Sequence, residues 1–222
     1  MDVKAFISEQ IEFIRKTVGE AGALSALSGG VDSSTCTLLA WRAIGPRLKV
    51  VFIDDGLMRE GEPQQVKSTF ASLGIPVEIV EAQADFFKAL AGLVDPEEKR
   101  KAFREAFYTT LGRLIRESGV KFLIQGTIAA DIIETRGGIK TQHNILEQIG
   151  IDPELSFGFK VIEPLKTLFK HEVREVAREL GLPEAILKRM PFPGPGLAAR
   201  ILGEVTPERA AIVRRATQIV EE

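Results

Sequence analysis

Serine, glycine and aspartate crowd one short stretch of the chain, Ser28-Gly29-Gly30-Val31-Asp32-Ser33-Ser34. The two glycines let the backbone turn tightly and bring its N–H groups close to a ligand. Ahead of it lies a short, mostly apolar run, Ala23–Leu27, and behind it Ser33–Ala43 is apolar at helical period. A helix beginning here presents unpaired N–H groups and the positive end of its dipole. With the hydroxyls of Ser33 and Ser34 added, the junction is an anion site, and phosphate is the usual occupant. Asp32 is instructive, because a carboxylate beside a phosphate is repelled unless a cation lies between them. Mg²⁺ suits that place, taking oxygens from one or two carboxylates and from phosphate. The plainer reading is a strand–turn–helix junction whose serines only cap the helix. The Walker A pattern G-x-x-x-x-G-K-[ST] is absent, so ordinary γ-phosphate transfer is not favoured.

The elements around the loop alternate. Residues 2–18 read as an amphipathic helix, Leu48–Ile53 as a second buried strand ending at Asp54-Asp55-Gly56, and Pro76–Val80 as a third. A helix with Pro63 in its first turn and Gly74 just past its end lies between them. Helices are expected over Asp85–Ala91 and Pro96–Ser118, and further strands over Val120–Gln125 and Phe159–Ile162. Strands apolar throughout, alternating with helices, predict an α/β fold: an open parallel sheet with helices on both faces. Thr135–Ser156 is Gly-rich and polar without a sustained period, which predicts a long mobile loop, of a length that is usually functional or disordered. Thr206 and Pro207 mark a last helix, as cap and first helical residue.

The whole composition narrows the setting. Of the 222 residues, 45% are apolar and 27% charged, enough to bury a core. A net charge of −2 offers no broad basic field for nucleic acid or an anionic membrane. The lone Cys36 excludes an intrachain disulfide, and no apolar run is long enough to span a bilayer. A cytoplasmic protein is expected.

The loop Ser28–Ser34 resembles the PP-loop of the ATP-pyrophosphatases, which cleave ATP between the α- and β-phosphates. Five further segments resemble the GMP synthases in particular, in that family's order and over nearly the whole chain. They are Asp54–Arg59, Asp95–Lys101, Gly126–Glu134, Glu163–Lys166 with Lys170–Arg174, and Pro191–Leu197. The last has three prolines and two glycines in Pro191-Phe192-Pro193-Gly194-Pro195-Gly196-Leu197, a rigid shaped loop rather than a helix or central strand.

The resemblance implies an adenine nucleotide alpha-hydrolase-like fold and a two-step reaction. The C2 oxygen of xanthosine monophosphate (XMP) attacks the α-phosphorus of ATP and expels pyrophosphate; ammonia then displaces AMP, giving GMP. It implies Asp32, Ser33 and Lys170 as catalytic residues. It implies that ATP is bound by Ser28, Gly29, Gly30, Val31, Asp32, Ser33 and Ser34, with Phe52, Ile53, Asp54, Gly126, Thr127 and Lys170. Asp32 and Asp131 are the implied Mg²⁺ ligands, and Arg100 and Arg200 the implied XMP contacts, an arginine fork suiting a phosphate monoester. Each has a plainer alternative: a solvated lysine at a helix start, a helix cap at Asp131, ordinary surface arginines.

Ile139–Asn144 resembles the family's lid, although Gln142 stands where that family usually has His; His143 remains. Asp55 replaces the more usual Asn. Only about two dozen residues precede the loop, and Cys36 within a core-like helix is a poor nucleophile, so ammonia is expected from a separate glutaminase subunit or from solution. An ATP-pyrophosphatase domain over residues 1–188 is expected. The start of a C-terminal domain over 189–222, truncated here, would complete the XMP site and make a homodimer. The alternative is a tRNA-modifying PP-loop enzyme, which would want a basic surface and often reactive cysteines.

Overall fold

The computed structural model describes residues 1–136, 158–190 and 192–221. The expected lid residues Gln142 and His143 lie outside the described residues, as does most of the Thr135–Ser156 stretch. Helices α1 (Val3–Val18), α2 (Val31–Ile44), α3 (Glu62–Ser72), α4 (Gln83–Leu90), α5 (Pro96–Ser118), α6 (Ala129–Arg136), α7 (Lys170–Glu179), α8 (Glu184–Leu187) and α9 (Pro207–Glu221) alternate with strands. The strands are β1 (Ala23–Leu27), β2 (Leu48–Asp54), β3 (Glu78–Glu81), β4 (Phe122–Ile124) and β5 (Lys160–Ile162). They form a five-stranded sheet in the order β3-β2-β1-β4-β5. The α/β class with a parallel sheet is therefore what the alternation of apolar strands and helices foretold.

Register follows from side-chain burial. β1 pairs with β4 in parallel, Leu24 opposite Leu123, and β4 with β5, Leu123 opposite Val161. Because the connection order reverses at β1, the carboxyl ends of β1 and β4 flank a topological switch point, where open sheets hold ligands. β3 departs from expectation. It begins two residues later than the apolar pattern suggested, and both its end residues, Glu78 and Glu81, are exposed. It is an edge strand, where exposed charge discourages pairing with another chain.

The chain divides into two compact units, Met1–Val51 with Ile115–Pro191 and Phe52–Leu114 with Phe192–Glu222. In the first, α2 is buried on nearly every face, with Cys36, Leu38, Leu39 and Ala40 almost inaccessible. Two of its buried hydroxyls are satisfied nearby: Thr37 Oγ1 lies 2.7 Å from Ser25 Oγ, and Thr35 donates to the Val31 carbonyl at 2.6 Å. α1 turns Phe6, Ile7, Ile14 and Val18 inward, the stripe its period predicted, and packs on α2. In the second unit the core gathers Phe70, Phe86, Leu90 and Leu111, with Phe86 and Phe103 tilted at 4.8 Å between ring centres.

Candidate active site

In the first unit, β1 ends at Leu27 and α2 begins at Val31, so three residues make the turn. Gly29 takes the left-handed conformation, φ +71°, which explains one glycine of the pair. Gly30 is extended, φ −79°, and needs no such freedom. Ser34 is the first residue whose amide reaches back, to the Gly30 carbonyl at 3.1 Å. The amides before it form the open N-terminus of a 14-residue helix. Ser33 Oγ lies 2.9 Å from Ser28 Oγ and accepts the Ser28 amide at 3.2 Å, so these two serines brace the turn. Ser34 is buried instead, its hydroxyl without a hydrogen-bond partner among the described residues.

The chain then brings a cation across 138 positions: Lys170 Nζ lies 2.6 Å from Asp32 Oδ2. Lys170 is the first residue of α7, whose start is held by Glu172 Oε2 accepting the Phe169 amide at 2.9 Å. The other oxygen, Asp32 Oδ1, is buried and has no hydrogen-bond partner among the described residues. A buried carboxylate oxygen without a donor is costly, and a site built to receive one is its natural explanation.

Gly126, just past β4, backs directly onto this turn. A Cβ there would stand 3.0 Å from the Ser33 amide nitrogen and 3.1 Å from the Asp32 carbonyl carbon. Thr127 is buried with its hydroxyl committed to Glu163 Oε1 at 2.6 Å. Asp131 sits in the first turn of α6, and its Oδ2 accepts the Ile128 amide at 3.0 Å, so capping is at least part of its task. Cys36 donates its thiol to the Gln125 carbonyl at 3.4 Å, and burial, then the charges of Asp32 and Glu163, push its pKa up. A thiol kept protonated is a poor nucleophile.

Three contacts escape a reading of the sequence. Arg189 Nη1 donates to the Gly29 carbonyl at 2.8 Å, fixing the loop from 160 positions away; Glu163 holds Thr127; Gln125 receives the thiol. No local pattern marks a residue whose partner is that distant.

The second unit carries the other expected residues. Phe52 and Ile53 are buried in β2, and Asp54 Oδ1 accepts the Gly56 amide at 3.0 Å while Oδ2 accepts Gln83 Nε2 at 2.9 Å. Asp55 is buried, its Oδ1 accepting the Leu57 amide at 2.7 Å. Burial, aided by the charges of Asp54 and Glu62, raises its pKa to about 7. Arg100 pairs with Glu97 one turn away. Arg200 donates to Thr217 Oγ1 at 3.2 Å, and its guanidinium lies 4.8 Å from the Phe192 ring centre, with that of Arg59 4.2 Å from the same ring. Lys99 is buried and donates to the Ile201 carbonyl at 2.8 Å; desolvation, then Arg209, lowers its pKa. The segments around Arg100 and Arg200 are thus tied together by their neighbours. Among the described residues no three His, Cys, Asp or Glu side chains gather as a ready metal cluster, and no helix is long and apolar enough to cross a membrane.

Comparison with known proteins identifies the family. The family model of the PP-loop domain matches residues 3–183. The B-type subunit of the glutamine-hydrolyzing GMP synthase of Archaeoglobus fulgidus is 56% identical, over 100% of this chain and 71% of its own. Its counterpart in Thermococcus kodakarensis is 55% identical, over 98% and 69%. Among solved structures, the NH3-dependent NAD synthetase of Campylobacter jejuni superposes with a TM-score of 0.66 at 18% identity, covering 99% of this chain and 94% of that one. NMN synthetase of Francisella tularensis gives 0.64 at 16%, over 100% and 97%. At such identities these two speak for the fold alone. From the PP-loop match and the whole-chain relatives together, the chain belongs to the PP-loop family, among the B-type subunits of GMP synthase.

Proposed function

We propose that this chain is the ATP-using subunit of a two-subunit GMP synthase, adenylating XMP at its C2 oxygen and passing the adenylate to ammonia. Attack on the α-phosphorus breaks its bond to the bridging oxygen, and pyrophosphate leaves with that electron pair. Ammonia then attacks C2, and AMP departs with the oxygen. The observation that carries this reading is the Lys170–Asp32 pair at the open end of α2, with Asp32 Oδ1 buried and unpartnered among the described residues. Helix amides and an ammonium are what a departing pyrophosphate requires, since its charge grows as the bond breaks. Ser28, Gly29, Gly30, Val31, Ser33 and Ser34 form the phosphate turn; Phe52, Ile53, Asp54, Gly126 and Thr127 serve the rest of ATP; Arg100 and Arg200 take the XMP phosphate.

Asp32 would hold Mg²⁺, its buried Oδ1 being the kind of oxygen that ion takes. Asp131 fits less well, because its Oδ2 already accepts an amide. When bound, the ion would offset charge on the pyrophosphate. A separate glutaminase subunit supplies the ammonia, the enzyme works as a homodimer, and its setting is cytoplasmic. The tRNA-modifying alternative is not favoured, since whole-chain relatives carry the GMP synthase name. Pyrophosphate release from ATP, measured with and without XMP and ammonium, is the test. Release that ignores XMP would refute the substrate; no release at all would refute the reaction.

A further inference from the structure

The turn that follows β2 in the second unit has its carbonyls captured one after another. Arg214, on α9, sends Nη2 to the Gly56 carbonyl and Nε to the Met58 carbonyl, the latter at 3.0 Å. The carbonyl between them, of Leu57, accepts the Leu197 amide at 2.7 Å. Gly196 makes that approach feasible: its φ is +58°, and a Cβ there would stand 2.4 Å from the Leu57 oxygen. Arg214 and Leu197 therefore grip one three-residue turn, Arg214 from the last helix and Leu197 from the Pro-Gly loop. Arg59 and Glu221 close the same arrangement, with Nε 2.6 Å from Oε2.

We infer that Arg214 is a positioning residue: it clamps the Gly56–Met58 turn so that the Pro-Gly loop, and with it Arg200, is held at a set place relative to the end of β2. The inference rests on the proposed function in one respect, that Arg200 meets XMP. A planar guanidinium with donors pointing in fixed directions can bridge two carbonyls; a lysine ammonium on a flexible stem reaches one of them at a time. Loss of the bridge frees the turn and the loop together, because they share the Leu57–Leu197 bond. Arg214 lies outside every segment through which the sequence suggested chemistry, and its hydrogen bonds go to the Gly56 and Met58 carbonyls.

The test compares the wild type with Arg214→Met and Arg214→Lys, using ammonium chloride as nitrogen source and following pyrophosphate release. For Arg214→Met the KM for XMP should rise about tenfold, while kcat and the KM for ATP stay within about threefold, and Arg214→Lys should fall between the two. Hydrogen exchange read by mass spectrometry supplies a readout independent of activity. Peptides covering residues 56–58 and 192–200 should exchange about tenfold faster in Arg214→Met, with peptides of β1 and α2 unchanged. An unmoved KM for XMP, equal losses for ATP and XMP, or unchanged exchange in those peptides would each overturn the inference. A wild type that releases no pyrophosphate in response to XMP refutes the functional reading instead, and the exchange data alone then decide whether the clamp exists.

Discussion

Two strand-end turns of this protein are built from similar residues and finished in opposite ways. After β1, Ser28–Gly30 leads into an open helix tip; Asp32 keeps one buried oxygen unpartnered among the described residues, and the cation beside it comes from a distant helix. After β2, nearly every polar group is taken. Asp54 and Asp55 accept the amides of Gly56 and Leu57, and the carbonyls of Gly56, Leu57 and Met58 are held by Arg214 and Leu197. Buried polar groups left unsatisfied cost stability, so a fold retains them where a ligand completes the set. The first turn is left open by the described residues. The second is finished by the protein.

That contrast can be broken by experiment. The largest effect should come from Asp32→Ala, which removes the half-paired carboxylate beside Lys170: XMP-dependent pyrophosphate release should fall about 10³-fold, while thermal unfolding stays near wild type. A variant that loses stability but keeps activity would mean that Asp32 belongs to the scaffold. In the second turn the pattern should invert. Gly196→Ala forces a side chain into the left-handed region and against the Leu57 oxygen, so about 3 kcal/mol of stability should be lost in denaturant titration. Little loss would show the turn to be looser than its contacts indicate.

A third prediction uses pH. The folded-state pKa of Asp55 is raised from 3.8 to about 7, so folding favours its protonated form. The stability this gives is complete below the unfolded value and is lost as pH rises through about 7. Asp55→Asn keeps an oxygen for the Leu57 amide and removes the titration. It should be about 4 kcal/mol more stable than wild type at pH 8, and the gap should close towards pH 4. Parallel curves for the two proteins would refute the shift. The smallest effect belongs to Gly126→Ala, whose methyl would press on the Asp32–Ser33 backbone: ATP binding by calorimetry should weaken about tenfold with stability changed by less than about 1 kcal/mol.

Much of this is legible in the residues themselves. The Ser28–Ser34 turn announces itself because its chemistry is contiguous: strand, glycines, hydroxyls, carboxylate and helix stand in one run of residues. Helix α5 begins at Pro96 and ends at Ser118, the limits its pattern predicts, and α9 starts at Pro207 with Thr206 Oγ1 accepting the Arg209 amide, as a cap should. β3 escapes the pattern because apolar Pro76 and Val77 precede it, whereas the strand itself is charged at both ends and lies at the sheet edge. The setting of Asp55 also shows only in the fold, where burial, with the charges of Asp54 and Glu62, raises its pKa to about 7.

What the sequence determined alone was everything carried by near neighbours: the order of elements, the glycine turn between β1 and α2, the helix caps and the family. Tertiary structure decided which charge meets Asp32, that Arg189 secures Gly29, and that Arg214 joins Leu197 in holding the carbonyls of the turn after β2. The reason is physical. Periodicity and capping act over a few residues, but a hydrogen bond between positions more than a hundred apart leaves no local trace, and only folding brings such positions together.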